Sequence, residues 1–387
     1  MNISSVLMGS FLISELSDKM YISRKEELRP YLEHCKTEYE FIPKIDDYNL
    51  EKLLVVFRHG ARAPLKNISA PWKDHSCVAC ETEQGAISNC KTKKCSEDGE
   101  LTERGFLQMT DLGRFIKKTY KRFLVDKEIE LEHIKARATK IPRTQSSLAG
   151  VIKGLTGSKQ VSNVYIPDSD DSLMNKFGCV TPDEKTEAKK LFQKTSILLD
   201  NEKYVYHPKP QYRADNYYAS LCSGVELDCK ELNCNINSVV DHMDAANKVW
   251  ERMAVSGSKD KASRQAVFKD FAKDLLSDID EKKYIVLYSA HDSSLGSIMS
   301  GLDTGISKWP SYASALFIEL WCNMGEQYIR MVLNNKVIKP RTFADDYIPI
   351  NEFISFLNDI SSIGKKQGPE NPNTGNKTHN IIKHKTI

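Results

Sequence analysis

Leu53-Leu54-Val55-Val56-Phe57-Arg58-His59-Gly60-Ala61-Arg62-Ala63-Pro64 is the stretch that decides the fold. Its apolar run is rich in Val and stops abruptly at Arg58. That pattern predicts a short strand buried on both faces, as in a parallel sheet. The polar residues that follow then fall at the carboxyl end of the strand, where open α/β sheets bind ligands. Two arginines four positions apart flank an imidazole there. A guanidinium is a planar fork matched to phosphate oxygens, and its charge does not titrate away. A neutral imidazole is a nucleophile able to carry a covalent intermediate. Gly60 lets the backbone turn tightly beside the reacting group. Taken singly, each residue is more simply a solvated arginine or a hydrogen-bonded histidine at a strand end. As a heptapeptide behind a buried strand, they point to chemistry on an anion.

A second run, Tyr284-Ile285-Val286-Leu287-Tyr288, repeats the arrangement and leads into Ser289-Ala290-His291-Asp292. A carboxylic acid beside a histidine is a natural general acid for a leaving oxygen, and His291 can donate a hydrogen bond to the same oxyanion. Adjacent His-Asp pairs also bind divalent metal in some phosphohydrolases, with ligands mainly on helices and further histidines upstream. Here His34, His75, His133, His207 and His242 show no ligand spacing.

Around these two runs the chain reads as α/β. Thr102 is placed to cap a helix running to about Tyr120, with Phe106, Met109, Leu112, Phe115 and Ile116 forming one apolar stripe. Residues 239–256 and 262–280 also read as helices. The expected architecture is a mostly parallel central sheet flanked by helices, formed by 45–165 and 280–363. Residues 166–279 read as an inserted smaller, mostly helical, cysteine-bearing domain. Residues 1–44 form an N-terminal segment whose apolar stretch 3–13 has the length of a signal h-region. Residues 364–387 read as a polar, basic tail.

Composition narrows the partners. The 387 residues are 40% hydrophobic and 28% charged, which excludes wholesale disorder and a fibrous repeat. Lys plus Arg (55) nearly balance Asp plus Glu (52), so charge alone supports no nucleic-acid surface. No stretch approaches the ~20 apolar residues of a membrane-spanning helix. Anion specificity must therefore be local. Of the ten cysteines, Cys77, Cys80, Cys90 and Cys95 crowd one segment and Cys222, Cys229 and Cys234 another, with Cys35, Cys179 and Cys322 apart. Four thiolates suffice for a structural zinc, which would make the chain a non-catalytic interaction protein. The spacing at Cys90 and Cys95 lacks the two-residue knuckle, which favours disulfides in an oxidising compartment. The triplets Asn67-Ile68-Ser69 and Asn376-Lys377-Thr378 fit N-glycosylation in the secretory pathway.

Together the motifs resemble the histidine acid phosphatases, the large branch of the histidine phosphatase superfamily. Arg58 to Pro64 matches that family's first signature and Ser289 to Asp292 its second. Gly99-Glu100-Leu101-Thr102-Glu103-Arg104-Gly105 resembles its Gly-x-Leu-Thr-x-x-Gly helix start, and Arg137 to Thr144 its Arg-Ser-Thr-Asp-x-x-Arg element. Pro310 to Ser314 and Glu319-Leu320-Trp321 also look familial. The resemblance spans roughly 50–360 and implies a phosphoglycerate mutase-like fold. It implies His59 as a nucleophile forming phosphohistidine, Arg58, Arg62, Arg137 and His291 as phosphate ligands, and Asp292 as proton donor. No cofactor is implied, because these cations neutralise the phosphoryl charge without metal. Ala138 and Lys140 depart from the family pattern, and Arg143 is the alternative third arginine; its simpler role is a structural ion pair. The implied substrate is a small-molecule or sugar phosphomonoester, acted on in the secreted, lysosomal or Golgi space. Within the family, the first reading is an acid phosphatase of broad monoester specificity, and the alternative is the branch acting on 2-phosphoxylose of the proteoglycan linkage sugar, which Ser220-Leu221-Cys222, Cys229, Cys234 and Phe317-Ile318-Glu319-Leu320-Trp321 resemble more.

Overall fold

β1 (Asn49–Arg58) is buried at every residue from Lys52 onward. It lies inside the sheet, parallel to β6 (Ile285–Ala290) and antiparallel to β7 (Ala315–Asn323). Beyond β6 follow β4 (Ile134–Ala138) and β5 (Val164–Tyr165), both parallel. Beyond β7 lies β8 (Glu326–Leu333), on which β9 (Lys336–Ile338) and β10 (Ile348–Pro349) pair antiparallel. The computed structural model describes residues 26–40, 48–66, 70–83, 85–168, 171–174, 210–226, 236–256 and 261–363. The α/β architecture with a parallel centre is the expected one. The antiparallel extension from β7 onward, and a separate hairpin of β2 (Ser76–Glu83) and β3 (Ala86–Lys94), are not legible in the apolar runs.

The alternation along β1 divides the core. Leu53, Val55 and Phe57 pack with Met109, Leu112 and Ile116 of α1 (Glu103–Thr119) and with Leu148, Val151 and Ile152 of α2 (Pro142–Thr156). Leu54 and Val56 face the opposite layer. There they meet Phe268, Phe271 and Leu275 of α5 (Lys261–Asp280), Leu295 and Met299 of α6 (Asp292–Gly301), and Phe353 and Leu357 of α7 (Ile350–Ser362). Each fully buried side chain of the β1 run contributes about 1.5–3 kcal/mol of transfer free energy. Thr102 caps α1 as expected, its hydroxyl accepting from the Gly105 amide at 3.0 Å.

One outcome differs from the sequence reading. Residues 166–279 do not behave as one unit, because α5 belongs to the helical layer on the sheet. What stands apart is a cluster of α3 (Pro210–Ser223), α4 (Ile236–Ser256) and the N-terminal 3-10 helix Glu26–His34. Leu28, Tyr217, Tyr218, Leu221, Val239 and Met243 form its core. The cysteines pair as Cys77–Cys95 and Cys80–Cys90 on the β2–β3 hairpin, and as Cys35–Cys222 across the small cluster. Cys179, Cys229, Cys234, both glycosylation triplets, the 3–13 segment and the 364–387 tail lie outside the described residues.

The familial Glu319 is fully buried in the sheet. Arg330, its cross-strand neighbour, the Tyr120 hydroxyl and the Trp321 indole all donate to it. With every partner supplied from packed elements, this stretch holds the sheet together rather than the site.

Candidate active site

The carboxyl ends of β1, β6 and β4 are adjacent in the sheet, and each delivers one part of the site. The His59 amide donates to the Ala290 carbonyl and the Thr139 amide to the Ser289 carbonyl, which locks the three strand exits together. His291 keeps extended backbone as the N-cap of α6, so Asp292 starts the helix at its electropositive end. The loop after His59 is pressed against the start of α1. A Cβ on Gly60 would stand 2.2 Å from the Gly105 carbonyl oxygen, and one on Gly105 2.0 Å from that of Ala61. Glycine at both positions is what lets the two backbones meet.

His59 is 2% exposed, and its Nδ1 lies 2.8 Å from the Gly60 carbonyl oxygen. A carbonyl only accepts, so Nδ1 carries the proton and Nε2 keeps its lone pair. Burial, then the charges of Arg143, Arg58 and Arg62, hold this imidazole well below the usual histidine range. Burial and Arg143 do the same to His291, lowering it to about 3. Both rings are neutral across physiological pH, with centroids 5.6 Å apart.

Each signature arginine is anchored from outside the sheet. Arg58 donates to the Pro310 carbonyl at 2.6 Å and bridges Asp292 Oδ2 at 2.8 Å. Its Nη1 also lies 3.0 Å from His34 Nε2, which must therefore be the acceptor. Its guanidinium sits 4.1 Å over the Tyr312 ring. Arg62 grips both carboxylate oxygens of Asp215 on α3, at 2.6 and 3.2 Å. Burial raises the Asp292 carboxyl, but Arg58, the Trp309 indole donating at 3.0 Å, and Arg62 outweigh it and hold it below the carboxylate range. Resting Asp292 is ionised.

The third arginine is not the one that the motif resemblance implies. Arg137 points away: Nη1 donates to Asp274 at 2.7 Å, and Nη2 to Asp171 at 2.6 Å and Ser172 at 3.0 Å. With both ends of its fork taken up, it is not in the cluster around His59. Arg143, in the first turn of α2, takes that place. Its Nη2 approaches His291 Nδ1 at 3.4 Å, and it has no carboxylate partner among the described residues. Burial and the charge of Arg62 lower its guanidinium to about 9, against the pull of Asp292 and Asp215. A buried guanidinium without a direct ion-pair partner among the described residues is chemically suited to an anion.

His34 and Asp215 are site residues that sequence reasoning misses. His34 shows no ligand spacing, and Asp215 has no motif around it. Among the described residues, the one metal-like grouping is Cys77, Cys95 and Glu100, and its two sulfurs are bonded to each other, which removes the zinc ligands.

The sequence model of the histidine phosphatase superfamily (branch 2) matches residues 49–254. The chain belongs to this superfamily. As a histidine phosphatase it is a phosphoric monoester hydrolase of the acid phosphatase kind. It is 23% identical to 2-phosphoxylose phosphatase 1 of Xenopus tropicalis, over 78% of this chain and 73% of that one. Identity is also 23% to lysophosphatidic acid phosphatase type 6 of Mus musculus, over 80% and 84%. The same figure holds for prostatic acid phosphatase of Bos taurus, over 76% and 81%. The fold is shared with the apo form of Hafnia alvei phytase, at a TM-score of 0.53 and 15% identity, over 82% of this chain and 98% of that one. His291 and Asp292 lie beyond the matched stretch, and the sheet brings them to it. The three disulfides fit an oxidising compartment. No helix among the described residues is long and apolar enough to cross a membrane.

Proposed function

We propose that this phosphatase hydrolyses phosphomonoesters through a phosphohistidine on His59. One observation carries the reading: the Nδ1 proton is tied to the Gly60 carbonyl, leaving Nε2 as the free lone pair among Arg58, Arg62 and Arg143. Nε2 attacks phosphorus, the P–O ester bond breaks, and the leaving oxygen takes the proton of Asp292. Water then attacks phosphorus and gives a proton to Asp292 as the P–N bond breaks, releasing inorganic phosphate and neutral His59. The phosphoryl oxygens are held by Arg58, Arg62, Arg143 and His291, with Arg143 in the role that the motif suggests for Arg137. This is transfer by positioning and charge neutralisation, with no cofactor required.

The ionised resting state of Asp292 has a consequence for pH. The proton for the leaving group must arrive with the substrate or be taken up on binding, as the phosphoryl charge relieves the arginines. A phosphomonoester has its second pKa near ~6, so the monoanion carries that proton only below this value. Activity therefore falls as pH rises above about 6. The disulfides support action inside the secretory pathway, in a secreted, lysosomal or Golgi-luminal setting, on small-molecule or sugar phosphomonoesters. A substrate panel that includes a 2-phosphoxylosyl oligosaccharide chooses among these.

The decisive experiment is acid-free quench during turnover. The expected adduct is acid-labile, alkali-stable and located on His59, and His59→Ala abolishes hydrolysis while the fold survives. An adduct on Ser or Cys, or an active His59→Ala protein, overturns the reading. Asp292→Ala should lose about 10²–10⁴ in rate on alkyl esters, whose leaving groups need a proton, and far less on activated aryl esters.

A further inference from the structure

We propose that Arg137 is a positioning residue for the proton-donating end of the site, acting on His291 and Asp292 through the 171–174 turn and Ser294. The inference rests on the catalytic reading above and assigns the arginine which that reading leaves unused. Arg137 is 7% exposed at the end of β4 and clamps three groups at once. Asp171 and Ser172 belong to the turn, and Asp274 belongs to α5. Asp171 Oδ1, held by the guanidinium, also accepts from the Leu173 amide at 2.9 Å, which sets the direction of the next carbonyl. The Leu173 carbonyl accepts the Ser294 hydroxyl proton.

A hydroxyl has one hydrogen. With that hydrogen directed at Leu173, Ser294 Oγ presents lone pairs to the His291 amide, which donates to it at 3.1 Å. His291 is the N-cap of α6, where an amide has no partner within the helix. The chain Arg137, Asp171, Leu173, Ser294 thus fixes the backbone from which the His291 and Asp292 side chains project. Removing the guanidinium would leave the Asp171 and Asp274 carboxylates facing each other across Ser172, and their repulsion would open the turn.

Arg137→Gln breaks the chain at its start. Ser294→Ala breaks it at the end without unpairing a buried charge, and decides the matter if Arg137→Gln does not fold. For each variant, kcat is measured on an alkyl and an aryl phosphomonoester, together with inhibition by inorganic phosphate and hydrogen exchange at the His291 amide. We expect alkyl-ester kcat to fall about 10–10²-fold, the scale of a small misplacement. Aryl-ester kcat and phosphate inhibition should change far less, and exchange at His291 should accelerate. A phosphate inhibition constant that rises with KM in Arg137→Gln would mean direct phosphate contact and would overturn the proposal. So would equal losses on both esters with unchanged exchange. Asp292→Ala, run in parallel, separates the two readings. If it shows no leaving-group dependence, the donor assignment fails, while the exchange measurement still reports whether Arg137 governs His291.

Discussion

His59, His291, Asp292 and Arg143 stand within five residues of the carboxyl ends of parallel strands, whereas His34 and Asp215, which hold Arg58 and Arg62, come from a cover outside the sheet. The rim is placed by backbone hydrogen bonds among β1, β4 and β6. The cover is placed by the Cys35–Cys222 disulfide and by aromatic contacts, such as His34 against Tyr218, Trp309 and Tyr312. Reactive atoms therefore depend on the sheet, and the orientation of two of the three cations depends on a small helical cluster. Geometry and charge balance can fail separately, and mutations can tell them apart.

The sharpest break is Asp215→Ala in the cover. It leaves Arg62 buried without its carboxylate, and losing one member of such a pair costs about 3–5 kcal/mol of stability. Inorganic phosphate should restore more stability to the mutant than to the wild type, because the anion replaces the lost partner. Thermal unfolding with and without phosphate checks this, and equal phosphate shifts would refute it. On the rim, Arg143→Ala should lower kcat about 10²–10³-fold, the loss expected when one donor to a developing charge is removed. The folded protein should be no less stable, since an uncompensated buried cation is gone. Wild-type turnover in this variant would return the third-arginine role to Arg137.

Replacing Cys35 and Cys222 with Ser should lower stability by about 2–4 kcal/mol. KM should rise more than kcat falls, because the cover orients cations and does no chemistry. A kcat loss without a KM change would erase the distinction between the regions.

A pH dependence of stability draws on both regions at once. Burial depresses His34, His59 and His291 in the folded state. Above the unfolded value of ~6.5 they are neutral in both states and contribute nothing to the slope. Below it the unfolded chain binds protons that the native site refuses, so stability falls as pH falls, by up to about 1.4 kcal/mol per pH unit for each ring. Chemical denaturation between pH 7 and 5 measures the slope, and phosphate should flatten it.

The rim is legible in the sequence because an apolar run that ends in a cluster of charged residues seldom arises from packing alone. Arg58, His59, Arg62, His291 and Asp292 all stand where two such runs stop, and the structure gathers them. Arg137 and Arg143 are harder to tell apart, because β4 is only five residues long and one arginine sits on it while the other opens the following helix. Sequence spacing does not say which of the two joins the cluster around His59. The cover is illegible because its contacts join residues far apart in the chain: Asp215 meets Arg62 across 153 positions and His34 meets Arg58 through a turn of 3-10 helix. The hairpin disulfides show themselves as clustered cysteines, but Cys35 looks isolated until the fold pairs it with Cys222.

The strand order also governs how the molecule is born. β1 is the first strand of the sheet to leave the ribosome, yet both of its neighbours, β6 and β7, lie in the last third of the chain. At a synthesis rate of roughly 5–20 residues per second, the apolar run from Leu53 to Phe57 waits on the order of ten to fifty seconds with two open edges. During that wait an unpaired, apolar strand of this kind is exposed to wrong pairing. His291 and Asp292 follow β6, so the cluster around His59 stays incomplete until that strand arrives.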